Sequence, residues 1–350
     1  MDLKEIIRYL KEYDGPEIKI MEVCGTHTAS IFKSGIRSVI SSRIRLISGP
    51  GCPVCVTPTA YIDKCMEYAL TPDHVLVTFG DMMKVPGTGG SLSQIKGEGA
   101  RVELMYSPSE VVERAKSDPK TTYVIAAVGF ETTVPTYALV IEEALAAGIA
   151  NIRLLTALKT IIPPLDWICR TEPDIGGFIC PGHVSVIVGS SAYEGLAQKY
   201  RKPFVVAGFE PEHILAVIYD IVRQLQENDG KVHNLYGNVV RTEGNKKARD
   251  IIDKYFEPGP AMWRGLGIIP NSGLYIRQAY GAFDGGSRGL DRDMELNEAC
   301  RCGEVIIGRA DPDECPMFAS TCTPTAPYGP CMVSAEGACG IWYKNRGGAK

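Results

Sequence analysis

The chain has 350 residues, 45% of them hydrophobic, which is enough to bury a core in two or three domains. Its formal net charge of −4 and the lack of any basic run exclude nucleic acid as the main partner. No apolar stretch reaches membrane-span length and the start, MDLKEIIRYLKEYDG, is a charged amphipathic helix without a signal-peptide apolar core, so a cytoplasmic location is expected and the twelve cysteines read as ligands, redox groups or core residues rather than bridges.

After that first helix, EIKIMEV reads as a buried strand ending directly on Cys24, in the string CGTHT. ASIFKSGIRSVI follows as a helix, and IRLIS is a second strand that ends on GPGCPVC. PTAYIDKCMEYAL is a helix with proline in its first turn. HVLVTFGD is a third strand and leads into a glycine-rich loop, MMKVPGTGGSLSQIKGEGA. RVELMYS and SPSEVVERAKSDP give one more strand and helix. The alternation restarts after Pro119, with the strands TTYVIAAVGF, NIRLLTA, GGFICPG and PFVVAGFEP separated by helical stretches, the last of them PEHILAVIYDIVRQLQEN. Strands alternating with helices of about a dozen residues indicate βαβ units and a parallel sheet. From about Asp229 the texture becomes irregular. The expected architecture is therefore α/β: two similar parallel-sheet domains, 16–118 and 119–228, facing a cleft, and a smaller irregular domain, 229–350, to which residues 1–15 are a possible addition.

The chemically distinctive residues fall where these strands end: Cys24 and His27, Cys52 and Cys55, Asp81, Glu131, His183 and Glu210. That rim is where open α/β sheets bind ligands. In GPGCPVC the glycines allow a tight turn, Pro53 stiffens the loop, and Cys52 lies near a helix start, where free amides favour thiolate. The pair suits redox exchange or metal binding; two buried packing cysteines are the plain alternative. Cys24 and His27 on one turn suit a ligand pair or a nucleophile and its base. Asp81, Glu131 and His183 read equally well as hydrogen-bonding or capping groups, Cys65 and Cys169 as core residues, and Cys180 as ambiguous. GxxxxGK[ST] and GxSxG are absent, so a nucleotide site or a hydrolase elbow has no support.

Residues 300–339 hold Cys300, Cys302, Cys315, Cys322, Cys331 and Cys339, half of the chain's cysteines, in a stretch broken by prolines and glycines. A segment that buries no regular apolar face needs another source of free energy, and metal–thiolate bonds supply one. Zinc sites usually show tight CxxC pairs. Here the spacing is CxC, then gaps of six, eight and seven residues between the last four cysteines, which favours an iron–sulfur cluster over zinc.

Taken together, MEVCGTHT, SGPGCPVCVTP, TFGDMMKVPG, VGFETTVPT, CPGHVSVIVG and CPMFASTCTPTAPYGPCMVSAEGAC resemble the hydrogenase maturation protein HypD family, over nearly the whole chain and in the family's order. The resemblance implies two α/β domains, a third domain with a [4Fe–4S] cluster, and a redox-active scaffold on which the Fe(CN)2CO group of [NiFe] hydrogenase is assembled. It implies a small HypC-type partner, and a HypE-type cyanide donor with HypF upstream. Cys24, Cys52 and Cys55 are then candidates to hold the transient iron, with His27 beside Cys24. The tail is also similar to ferredoxin–thioredoxin reductase, which would make Cys300, Cys315, Cys322 and Cys339 the cluster ligands and Cys302 and Cys331 an adjacent redox disulfide. The loop 85–99 is a candidate contact for the partner. The competing expectations are an iron–sulfur thiol–disulfide reductase acting through CPVC, and a zinc-stabilised binding protein.

Overall fold

The computed structural model describes residues 2–293 and 299–345. Eleven strands form two sheets among these residues. In chain order they are β1 Ile18–Glu22, β2 Ile44–Ser48, β3 His74–Thr78, β4 Val102–Leu104, β5 Thr122–Gly129, β6 Ile152–Lys159, β7 Ile175–Cys180, β8 Phe204–Val206, β9 Val232–Asn234, β10 Phe256–Trp263 and β11 Gly267–Ile276. The first sheet has the order β2-β1-β7-β8-β9, with every pairing parallel. The second has the order β10-β11-β6-β5-β3-β4, parallel from β6 to β4 and closed at one edge by the antiparallel β10–β11 hairpin. Strands such as β5 are buried along almost their whole length, as a parallel sheet covered on both faces requires.

The α/β class and the parallel sheets expected from the alternating pattern are present. The division at residue 118 is not where the sheets divide. β1 and β2, from the expected first domain, share a sheet with β7 and β8 of the expected second and β9 of the expected third. β3 and β4 part from β1 and β2 and share a sheet with β5 and β6. The chain thus passes from the first sheet to the second after β2, back again after β6, and to the second once more after β9. Alternation of strands and helices carries no information about which strand a given strand joins, so such a crossing is invisible to it. β10 and β11 likewise belong to the second sheet rather than to a separate C-terminal unit.

Residues 1–15 were also a possible addition to that unit. Instead the helix Leu3–Lys11 lies on the outer face of the first sheet, its buried Ile6 and Leu10 packed with Ile218, Ile221 and Val222 of the helix Pro211–Glu227. The Tyr9 and Tyr219 rings meet edge to face at 5.0 Å between the two helices. The helices Glu110–Ser117, Val134–Ala146 and Lys246–Tyr255 cover the outer face of the second sheet. Between the sheets one apolar core joins Val23, Phe178 and Phe204 of the first to Leu76, Val124 and Leu155 of the second, and the tail residues Ile306, Cys331 and Met332 enter the same core. Among the described residues no helix is long and apolar enough to cross a membrane.

Because each sheet completes itself with strands from the other side of residue 118, neither expected half should fold alone. Residues 16–118 expressed separately should give no cooperative unfolding transition and no dispersed amide spectrum, with β1 lacking β7 and β3 lacking β5. A cooperatively folded fragment would contradict the crossing.

Candidate functional site

β1 and β2 are parallel neighbours in register from Ile18↔Ile44 to Glu22↔Ser48, so the loops that follow them leave the same rim. The first loop carries Cys24 and the second Cys52. Gly51 lets them touch, because a Cβ at that position would lie 2.6 Å from the Cys24 N and Cα atoms. Cys24 is a buried, extended residue at the N-terminus of the helix Gly25–Lys33. Burial pushes its thiol up, the Thr26 and His27 backbone N–H groups pull it back, and the Glu336 carboxylate adds to the rise. Cys52 and Cys55 form a disulfide with their Cα atoms 5.3 Å apart, and the Cys55 N–H points at the Cys52 sulfur at 3.2 Å. In that form neither has a thiolate to offer iron, so reduction must precede any role as a ligand.

His27 is fully buried, and burial holds its imidazole down to about 4, hence neutral. Its Nε2 lies 3.1 Å from the Gly208 carbonyl, which makes that nitrogen the donor, and its Nδ1 is buried without a partner. The ring packs on Phe209 at 4.9 Å, and the exposed His183 packs on the same Phe209 at 4.3 Å. Neither nitrogen of His27 is hydrogen-bonded to the Cys24 thiol it was expected to accompany.

The residue that does approach Cys24 is Glu336, which the spacing of the tail cysteines gave no reason to single out. Thr26 Oγ1 donates to Glu336 Oε1 at 3.4 Å, the Glu336 N–H donates to Ser334 Oγ at 3.2 Å, and Ser334 Oγ donates to Asp81 Oδ2 at 3.3 Å. Asp81 stands past the end of β3. The segment 334–336 therefore bridges the rims of both sheets. Burial raises the Glu336 carboxyl, Thr26 and the His183 charge lower it, and the Asp81 charge raises it. An open cavity beside this bridge is lined by Pro53, Val54, Phe79, Asp81, Tyr106 and Glu336.

The other rim carboxylates differ in kind. Glu131 is buried and accepts the Ile161 N–H at 2.8 Å, at the start of the helix Ile162–Thr171, which is the capping role. Glu210 is exposed beside the N-terminus of Pro211–Glu227 and makes no capping bond. Glu22, at the end of β1, is wholly buried, takes the Ser48 hydroxyl at 3.2 Å and has Arg37 at 3.9 Å. Burial pushes both Glu22 and Glu131 up to about 7. A charged residue inside an apolar run was the available signal for Glu22. The loop 85–99 is held in place rather than free: the Thr88 N–H and hydroxyl both bond Asp63 at 2.7 Å, and Ser91 and Gln94 cap the helix Leu92–Gly97.

All six tail cysteines line one small cavity. Cys302 Sγ and Cys331 Sγ stand 2.7 Å apart, far closer than non-bonded sulfurs sit. The Tyr328 N–H is directed at Cys322 Sγ at 3.4 Å. Gly329 leaves the space beside Cys300 and Cys302 free, since a Cβ there would lie 3.1 and 3.4 Å from their sulfurs. Burial pushes the Cys322 and Cys339 thiols up, so that a metal is what would hold them as thiolates. This donor set, all sulfur with an amide aimed at it, fits an iron–sulfur cluster. Cys331 also lines a second cavity, together with Cys52 and Cys55, and Cys55 Sγ lies 4.0 Å from the carbonyl of Pro330. Cys65, Cys169 and Cys180 are buried in the apolar core.

The family model HypD, described as "Hydrogenase formation hypA family", matches residues 2–346. The chain belongs to the HypD family. It is 40% identical over 349 residues to the hydrogenase maturation factor HypD of Escherichia coli K12, covering 98% of this chain and 93% of that relative. With the HypD of Rhodobacter capsulatus the identity is 42% over 342 residues, covering 95% and 90%. With the hydrogenase expression/formation protein HupD of Azotobacter chroococcum it is 40% over 338 residues, covering 93% and 89%. This HypD-family chain is accordingly a hydrogenase maturation factor.

Two outcomes follow from the charges around Cys24. Glu336→Gln removes a carboxylate that raises the Cys24 thiol, so alkylation of Cys24 by iodoacetamide should shift to lower pH; an unmoved profile would show that the two do not interact. Glu22 is raised in the folded protein, so its contribution to stability is present below its ordinary value of 4.5 and is lost as pH rises to about 7. The loss should be about 3 kcal/mol. Denaturant unfolding at pH 4 and pH 7.5 should show a smaller difference in Glu22→Gln than in the parent by that amount.

Proposed function

We propose that this maturation factor is a redox-active scaffold that holds the iron of the Fe(CN)2CO group while it is assembled, with Cys24 as the principal thiolate. The observation that carries the reading is the convergence of three groups on one point: the Cys24 loop, the Cys52–Cys55 disulfide and the tail segment that also carries Cys331. The cargo iron needs soft ligands in a place closed to water. Cys24 is buried beside amides that favour its thiolate, and the reduced Cys52–Cys55 pair would add sulfurs next to it.

The resident group of the tail would be a [4Fe–4S] cluster held by Cys300, Cys315, Cys322 and Cys339. When bound it would supply single electrons. Cys302 and Cys331 form the adjoining dithiol or disulfide, and Cys331, shared between the tail cavity and that of Cys52 and Cys55, links one pair to the other. Reduction of Cys52–Cys55 then frees two thiolates at the iron site. Glu336 and Asp81, bridged by Ser334, place negative charge at the mouth and bias it towards a cation. A HypC-type partner docks over the open cavity past Tyr106, which is exposed there, and a HypE-type donor delivers cyanide. The pinned loop 85–99 is a firm edge for such a partner.

The succession of two cysteine pairs also suits a second reading, an iron–sulfur thiol–disulfide reductase acting through CPVC. Turnover of a disulfide substrate without a partner protein would favour it. Infrared spectroscopy of the protein purified with its partner decides for the scaffold if cyanide and carbonyl bands appear.

Cys24→Ala should keep the fold and the tail's iron yet abolish hydrogenase maturation, and normal maturation by that variant would end the proposal. Cys322→Ser should lose iron and its absorption near 400 nm, whereas Cys302→Ser should keep both. Iron retained in Cys322→Ser but lost in Cys302→Ser would reverse the ligand assignment.

A further inference from the structure

The helix Gly25–Lys33 grips the turn that follows β8. His27 Nε2 donates to the Gly208 carbonyl at 3.1 Å, and one helical turn further on Ser30 Oγ donates to the Phe209 carbonyl at 2.7 Å. Side-chain bonds to two successive carbonyls fix the backbone of the turn and, with it, the half-buried Phe209. Two imidazoles pack on the Phe209 ring: His27 with centroids 4.9 Å apart and planes at 30°, and His183 at 4.3 Å and 34°. Gly182 permits the second contact, because a Cβ there would lie 3.2 Å from Phe209 Cζ and 2.6 Å from the Ala207 carbonyl oxygen. Burial keeps His27 neutral, whereas His183 is exposed at the rim, where its charge acts on Glu336. His27 therefore serves the turn rather than the Cys24 thiol, and the group at the far side of the turn is His183.

We propose that His27 and Phe209 are positioning residues for His183, and that the imidazole they seat donates a hydrogen bond to the nitrogen of a cargo cyanide. This rests on the scaffold reading and adds to it a group that recognises the cargo. A cyanide bound to iron through carbon turns its nitrogen outward as an acceptor, and it needs a donor. Glu336 and Asp81 are acceptors when ionised. The hydroxyls of Thr26 and Ser334 are committed to those two carboxylates. The His183 ring has no hydrogen-bond partner among the described residues and keeps an N–H in either charge state. The groups around it are Glu336 from the tail, the neutral His27 and the exposed Glu210 of the turn; its own helix, Gly182–Val188, carries no other ionisable side chain. Packing on a fixed aromatic ring holds this exposed side chain in one orientation, so that the donor is already aimed when the cargo arrives.

The seating is read on the full-length protein without cargo. In the wild type, nuclear Overhauser contacts should join the His183 and Phe209 ring protons. The pH midpoint for modification of His183 by diethyl pyrocarbonate should fall by about half a pH unit in Glu336→Gln, which removes the facing carboxylate. Phe209→Leu should give a similar fall in the parent but little further fall in the Glu336→Gln background, because the ring acts by holding the imidazole at Glu336. His27→Gln, which keeps a donor for the Gly208 carbonyl, should match the parent, and His27→Leu should match Phe209→Leu. Missing ring contacts, or shifts that simply add, would overturn the seating. The hydrogen bond is read by infrared spectroscopy of the complex with the HypC-type partner. His183→Ala should move the cyanide bands to lower wavenumber, and by more than the carbonyl band; Phe209→Leu should do the same and His27→Gln should not. Cyanide bands that stay in place in His183→Ala would sink the hydrogen bond, whereas a parent complex with no cyanide bands at all would sink the scaffold reading instead.

Discussion

The parallel pairing of β1 with β2 on one side and β7 on the other is the constraint on which the site depends. A parallel sheet points every strand's carboxyl end the same way. Cys24, the GPGC turn and the CPGH turn therefore emerge together without any contact between them being required to hold them there. Gly51 adds the fine adjustment, since the approach of its loop to Cys24 leaves no room for a side chain. Substrate chemistry at such a rim is positioned by backbone hydrogen bonds of the sheet, which are stiffer than the loops they support.

The second dependency is the tail. The helices and strands bury their own apolar faces, but residues 299–337 contain only short turns of helix and owe their placement to what they touch. Ile306, Cys331 and Met332 enter the core between the sheets, and Glu336 and Ser334 fasten the segment to Thr26 and Asp81. The same residues that give the tail its position bring its sulfurs up to the CPVC loop. Structural anchoring and the approach of the tail cysteines to the CPVC loop are here one arrangement, which explains why a stretch with so little secondary structure still forms a defined cavity.

Much of this was legible in the sequence. Strand periodicity located β1, β2, β5 and β6 within a residue or two, and strand ends located Cys24, Cys52 and Asp81. Partner choice was not legible: five strands lie between β1 and β7 in sequence, and nothing in either run of apolar residues names the other. His27 was read as a companion of Cys24 because they share a turn, yet helix geometry turns its ring to Gly208. Glu336 escaped notice because its neighbours in space, Thr26 and Cys24, lie at the opposite end of the sequence. Lys159 shows the same limit: it ends β6 as an ordinary charged residue, but the fold buries it against the carbonyl of Met262 at 2.7 Å and the Trp263 ring.

The repeated passage of the chain between the sheets also has a meaning for biosynthesis. When β1 and β2 leave the ribosome, the strand that must lie against β1 has not yet been translated. At ordinary elongation rates the wait is on the order of ten seconds. Throughout that interval an apolar strand edge faces solvent, open to pairing with another nascent chain. A protein built this way depends on its cell's capacity to shield unfinished sheets, and its yield in a foreign host is governed as much by that shelter as by the stability of the finished molecule.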